Sequence, residues 1–173
     1  YENGSLECKA NNIYYINYDK LYKKGVRCII FDLDNTITPS YIKEPTKRLK
    51  KLFEELKDKG FKLIIMSNSP KYRIEPFKTY LGVDACAFSL KPRKDKYIKI
   101  MERFKYKPTE IACIGDQLIT DVLGANRMDF TSVLVHPLSS RDHTVTLFNR
   151  ICESFIFSSL ERKDLFKKGK YYD

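Results

Sequence analysis

No apolar run in this 173-residue chain approaches the roughly 20 residues that a membrane-spanning helix needs, so that class is excluded by sequence. Five cysteines, Cys8, Cys28, Cys86, Cys113 and Cys152, are odd in number and form no Cys-x-x-Cys pair. This argues against a disulfide framework or a zinc site and for reduced thiols in a cytosol-like compartment. The only histidines, His136 and His143, belong to no ligand or triad pattern and read as structural or surface residues. Internal repeats, low-complexity linkers and a signal-peptide pattern are all lacking, so one domain over residues 1–173 and no secretion are expected. Acids are also short, 22 against 32 Lys and Arg, for a net charge of +10. That surplus favours anionic partners, namely phosphorylated substrates, nucleic acid or an acidic membrane surface, without choosing among them. What remains is 43% hydrophobic and 31% charged, the composition of a folded globular chain and not of a disordered one.

Along the chain, residues 1–25 read as a polar, tyrosine-rich edge segment with a turn at Asn11-Asn12 and a short helix from Tyr18 to Lys24. Its Tyr14, Tyr15, Tyr18 and Tyr22 are expected to pack against the domain edge. Strands are predicted at 26–32, 61–66, 85–88, 111–114 and 131–135. Between them the spacing predicts helices over 44–59, with Leu49, Leu52, Phe53 and Leu56 inward and lysines in solvent, and over 71–80. Two more are predicted over 94–104, with Tyr97, Ile98, Met101 and Phe104 inward, and over 118–127. Strand and helix alternate, which implies an α/β fold: a five-stranded parallel sheet with helices on both faces. A closing helix from Thr144 to Leu160 and a basic tail complete the expected domain at 144–173. A weaker reading lays that stripe and tail on a membrane surface.

Chemistry gathers at the predicted strand ends. Asp32 and Asp34 lie two apart at the end of an apolar strand, where side chains share a side and two carboxylates call for a cation. A strand end whose acids merely face solvent is the plainer alternative. Against it, Ser67-Asn68, Lys91 and Asp116 with Asp121 follow the next strands, where open α/β sheets bind ligands. Phosphoryl transfer needs a nucleophile, an acid for the leaving oxygen, a cation and donors around the phosphoryl oxygens. Asp32 would attack phosphorus, and Asp34 would protonate the leaving oxygen and later activate water. Ser67, Asn68 and Lys91 would bind the phosphoryl group. Asp32, the Asp34 carbonyl and Asp116 would hold Mg²⁺, with Mn²⁺ or Co²⁺ as substitutes, while Asp121 orients its waters.

Through FDLDNTI, IIMSNS, Lys91-Pro92 and IGDQLITD, the chain resembles the haloacid dehalogenase-like phosphatases over nearly its whole length. The resemblance implies a Rossmann-like fold and an Mg²⁺-dependent, aspartyl-phosphate mechanism on the residues just named. More narrowly, GDQLITDVLGANRM, the loop from Pro137 to Thr144 and FNRICE are similar to the YqeG group of type IIIA phosphatases. Relatives of that group in mitochondria and plastids dephosphorylate phosphatidylglycerophosphate, which implies a phospholipid substrate on the way to cardiolipin.

The intervals after Asp34 and from Ser67 to Lys91 are too short to hold a cap domain. An uncapped site admits bulky substrates, and a lipid headgroup, reached by peripheral contact with an anionic membrane, is the leading expectation. No stable nucleic-acid complex is expected. The expected location is cytoplasm or an organelle matrix, with a peripheral place on the inner membrane surface. The competing readings are a phosphatase of a soluble metabolite, nucleic-acid end or phosphoprotein, and a catalytically silent RNA- or protein-binding module of the same fold.

Overall fold

The runs Cys28–Phe31 and Ile111–Gly115 carry no polar side chain, so both of their faces must be covered. A computed structural model of the chain describes residues 6–139 and shows this cover. In chain order the elements are β1 (Leu6–Ala10), α1 (Tyr18–Lys23), β2 (Cys28–Phe31), α2 (Lys47–Asp58), β3 (Lys62–Met66), α3 (Lys71–Leu81) and β4 (Asp84–Cys86). They continue as α4 (Asp95–Phe104), β5 (Ile111–Gly115), a π-helical turn at Leu118–Val122, α5 (Leu123–Asn126) and β6 (Thr131–Val135). All strand pairs are parallel, in the order β1-β6-β5-β2-β3-β4.

Alternation along the strands divides the core into two. Ile29, Phe31, Leu63 and Ile65 pack with α1, α2 and α3 on one face. Cys28, Ile30, Ile64 and Met66 pack with Tyr97 and Ile100 of α4 and Ala125 of α5 on the other. The helices begin and end on local chemistry. Thr46 Oγ1 accepts the Leu49 amide at 3.2 Å to start α2, and Gly82, at φ +61°, ends α3 in the left-handed region.

Three expectations change. The sheet has six strands, because Leu6–Ala10 pairs with β6 as an edge strand where an irregular segment was expected. Its partner lies more than a hundred residues away, so nothing local announces the pairing. On α4 it is Ile100 that is buried, while Ile98 is 42% exposed, because the inward stripe runs from Tyr97 by three and four residues. Of the four early tyrosines only Tyr15, 70% exposed, fails to pack: Tyr18 is buried, Tyr14 lies against the core, and the Tyr22 ring meets Phe61 edge-on at 5.5 Å. The expected helix and tail at 144–173, with His143 and Cys152, lie outside the described residues; His136 is exposed.

Only a loop and α2 separate β2 from β3, and only α3 separates β3 from β4, so neither crossover holds an inserted domain. Among the described residues no helix is long and apolar enough to cross a membrane.

Candidate active site

The strand order reverses between β2 and β5: the chain runs outward from β2 through β3 to β4, then returns to β2's other side. Loops from the two part there and leave a crevice at the carboxyl ends. Asp32 stands at the end of β2, its amide still bonded to the Ile114 carbonyl of β5 at 2.9 Å. Asp116 follows β5 directly, and Asp121 follows it from the π-helical turn. Within that turn the Asp121 and Val122 amides both reach back to the Gln117 carbonyl, at 3.0 and 3.3 Å. The Gln117 amide in turn donates to Asp121 Oδ2 at 3.1 Å. This wider turn brings Asp121 against the end of β5, where a Cβ on Gly115 would lie 2.3 Å from its carboxyl carbon. Glycine is required there for close approach.

Lys91 arrives from the far side, after β4. Its Nζ donates to Asp32 Oδ1 at 2.6 Å and to Asp121 Oδ1 at 2.5 Å, and its side chain is 4% exposed. Thr36 Oγ1 bridges the remaining acids, 3.2 Å from Asp116 Oδ1 and 3.4 Å from Asp32 Oδ2. Oxygens of Asp32, Asp116 and Asp121 all fall within 4.8 Å of one another, all three residues being buried. The space left beside them, among Met66, Lys91 and Tyr97, is only about 10 Å³, room for about one water.

Three carboxylates face one ammonium here, a formal surplus of two negative charges held out of water. Burial pushes the Asp32 carboxyl well above the usual carboxylate range, Lys91 pulls it back, and Asp121 and Asp116 push it up again. Burial works against the charge on Lys91, yet Asp121 and Asp32 outweigh it and hold the ammonium above its ordinary value. A close set of hard oxygen donors with surplus negative charge suits a divalent cation.

The two acids of the first motif part company. The strand ends at Phe31, and the chain turns so that the Leu33 carbonyl accepts the Ile37 amide at 3.1 Å. Asp34 therefore faces α3, where its Oδ1 accepts Arg73 Nε at 3.0 Å and Nη2 at 2.8 Å, and its Oδ2 accepts Ser69 Oγ at 2.6 Å. Ser67 is buried at the end of β3, its Oγ accepting the Ser69 amide at 3.1 Å. Asn68, expected at the phosphate, has its amide engaged with the Lys91 main chain: Oδ1 accepts the Lys91 amide at 2.9 Å, and Nδ2 donates to the carbonyl at 3.5 Å. Sequence reasoning missed Thr36, Ser69 and Arg73. Thr36 and Ser69 lie inside the motifs already quoted, but Arg73 is one of 32 basic residues and no spacing marks it.

A family model for haloacid dehalogenase-like hydrolases matches residues 41–129. The chain is 39% identical over 154 residues to the Bacillus subtilis protein named Probable phosphatase YqeG, covering 89% of this chain and 90% of that one. It is 25% identical to Phosphatidylglycerophosphate phosphatase 1, chloroplastic/mitochondrial, of Arabidopsis thaliana, covering 90% of this chain but 44% of that protein. Among solved structures, the cobalt-bound deoxy-D-mannose-octulosonate 8-phosphate phosphatase of Haemophilus influenzae superposes with a TM-score of 0.55 at 20% identity. That likeness covers 65% of this chain and 69% of that one, and it concerns the fold alone.

Proposed function

The chain belongs to the haloacid dehalogenase-like hydrolases as a phosphatase, and from that premise we propose that it dephosphorylates a lipid phosphomonoester, phosphatidylglycerophosphate, to phosphatidylglycerol. The observation that carries the chemistry is the Lys91 ammonium seated between the carboxylates of Asp32 and Asp121, with Asp116 beside them.

In this reading an Asp32 oxygen attacks phosphorus as the bond from phosphorus to the ester oxygen breaks, and Asp34, which would turn from Arg73 and enter the step protonated, gives its proton to the departing alcohol. Water then loses a proton to the Asp34 carboxylate and attacks the same phosphorus. The bond to Asp32 breaks, inorganic phosphate leaves, and both carboxyl groups return to their starting states. Arg73 and Ser69 hold Asp34 apart from the acidic cluster, which separates the proton-transfer group from the nucleophile. Ser67 and Lys91 bind the phosphoryl oxygens, and Asn68 fixes the Lys91 main chain. Asp32, Asp116 and the Asp34 carbonyl would hold Mg²⁺, with Asp121 orienting its waters. When bound, the ion offsets the surplus carboxylate charge and polarises the phosphoryl group.

The lipid assignment draws on the named plant relative, on crossovers that hold one helix each and leave the site uncapped, and on a net charge suited to an anionic bilayer. Phosphate release from phosphatidylglycerophosphate in mixed micelles with Mg²⁺, wild type against Asp32→Asn, with soluble phosphomonoesters alongside, tests it. Asp32-dependent release favouring the lipid is expected. Release from soluble esters alone would discard the lipid and keep the chemistry.

A further inference from the structure

On a parallel sheet every connection leaves from one edge, so the exits of the six strands surround the site. Of the ten large apolar side chains exposed among the described residues, five lie on strand exits: Tyr41, Tyr72, Phe88, Leu90 and Leu138. Singly, such residues need no explanation. Three of them, however, sit on the two neighbouring exits from β3 and β4, with Tyr72 81% exposed and Phe88 and Leu90 each 58%. A shallow groove of about 650 Å³ runs between the exits, lined by Pro70, Lys71, Tyr72, Glu75 and Phe88.

The β4 exit alternates. Phe88 and Leu90 point to solvent, while Ser89 and Lys91 point inward, with the Ser89 amide on the Ser67 carbonyl at 3.1 Å and Lys91 on the acids. Both outward residues take the left-handed backbone, at φ 47° and 53°, a conformation that disfavours bulky side chains by roughly 1–2 kcal/mol each. Neither recovers that cost by burial in the fold. The same exits are mostly basic: residues 67–73 and 87–94 carry Lys71, Arg73, Lys91, Arg93 and Lys94 and no carboxylate, with Glu75 at the groove and Asp95 the nearest acids on either side. Arg73 and Lys91 turn in to the site acids, while Lys71, Arg93 and Lys94 are exposed, Arg93 pairing with Asp95 at 2.9 Å.

We propose that this rim docks on an anionic bilayer: Tyr72, Phe88 and Leu90 enter the boundary between headgroups and acyl chains, and Lys71, Arg93 and Lys94 meet lipid phosphates. Apolar tips flanked by cations are what such an interface binds, and the Phe88–Ser69–Asp34 chain of hydrogen bonds ties the rim to the site. The inference rests on the lipid reading above, because an uncapped site must be brought to a headgroup that cannot leave its membrane.

The test uses the full chain and the variant Tyr72→Ser/Phe88→Asn, which leaves residues 144–173 unchanged and places asparagine where the backbone is left-handed. Sedimentation with phosphatidylcholine vesicles, with and without phosphatidylglycerol, reads docking. Hydrolysis of p-nitrophenyl phosphate reads the integrity of the site. The wild type should bind the anionic vesicles, and the variant should bind roughly ten- to a hundredfold more weakly with soluble-ester turnover unchanged. A wild type that ignores vesicles, or a variant that binds them as well, overturns the proposal. So does a vesicle-indifferent dimer that the same variant dissociates, since the rim then covers a second copy. Vesicle binding without lipid hydrolysis in micelles overturns the lipid substrate alone, whereas micellar hydrolysis without vesicle binding overturns the docking alone.

Discussion

Replacing Lys91 with methionine keeps the aliphatic stem and removes the charge, which isolates what the ammonium does. In the folded chain that ammonium lies 2.6 Å from Asp32 and 2.5 Å from Asp121, whose side chains are 10% and 5% exposed. Without it two buried carboxylates, with Asp116 close by, have no cation between them. Removing one partner of a buried ion pair costs about 3–5 kcal/mol, because the other is left buried and unpaired. At about 2–4 °C per kcal/mol for a chain of this size, the melting temperature should fall by roughly 6–20 °C. Thermal unfolding in chelator, followed by calorimetry, measures this. Adding a divalent cation should then raise the variant's melting temperature more than the wild type's, since the ion meets a larger surplus of negative charge. Lys91→Met/Asp121→Asn should recover part of the loss, as the second change removes one of the stranded charges. A single variant that melts within about 2 °C of wild type in chelator would refute the reasoning, because an ammonium truly placed between those acids cannot be removed so cheaply.

Three further outcomes follow from single contacts. Gly115→Ala sets a Cβ 2.3 Å from the Asp121 carboxyl, so denaturant titration should show a loss of about 1–3 kcal/mol together with weaker divalent-cation binding. Arg73→Gln leaves the Asp34 carboxylate held by Ser69 without its ion pair, and kcat on a soluble ester should drop roughly 10- to 100-fold with a smaller change in KM. An unchanged kcat would remove Arg73 from the positioning of Asp34. Asp84, held below the usual carboxylate range chiefly by its hydrogen bond from Lys62, should contribute up to about 1 kcal/mol at neutral pH. Because its folded pKa is the lower one, the stability gap to Asp84→Asn should be full above about pH 3.9 and close as pH falls through the folded value.

What could be read in the sequence was chemistry carried by neighbours in the chain. The all-apolar Cys28–Phe31 run announced a covered strand, and Gly60 and Gly82 marked helix ends, whereas the cap of α2 at Thr46 came two residues later than the start the spacing implied. The acids after β2 and β5 fell at the carboxyl edge because alternation of strand and helix leaves them no other place. Contacts made across the chain were not legible. β1 finds β6 only once the sheet exists, and Arg73 finds Asp34 from a separate exit 39 residues away. The π-helical turn differs from an α-helix by a single hydrogen-bond step over five residues, too short a stretch for periodicity to register. The spacing of Asp32 and Asp34 put both side chains on one side of a strand, but a turn after Phe31 sends the Asp34 side chain to Arg73 and Ser69, while Asp116 and Asp121 join Asp32 in the acidic cluster.

On the β4 exit the strand predicted over 85–88 stops at Cys86, and the reason is local. A segment that must turn Lys91 inward at 4% exposure, seat Ser89 on the Ser67 carbonyl and still return to α4 in so few residues has little conformational choice. It accepts left-handed backbone at Phe88 and Leu90, and local cost of this kind persists where surrounding contacts fix the chain, here through Asn68 and Ser69. Inward and outward side chains on this exit therefore share one short, fixed length of backbone. A surface that loads Phe88 and Leu90 bears on the loop that holds Lys91 against Asp32, so that on the lipid reading docking and phosphoryl binding act on one short segment.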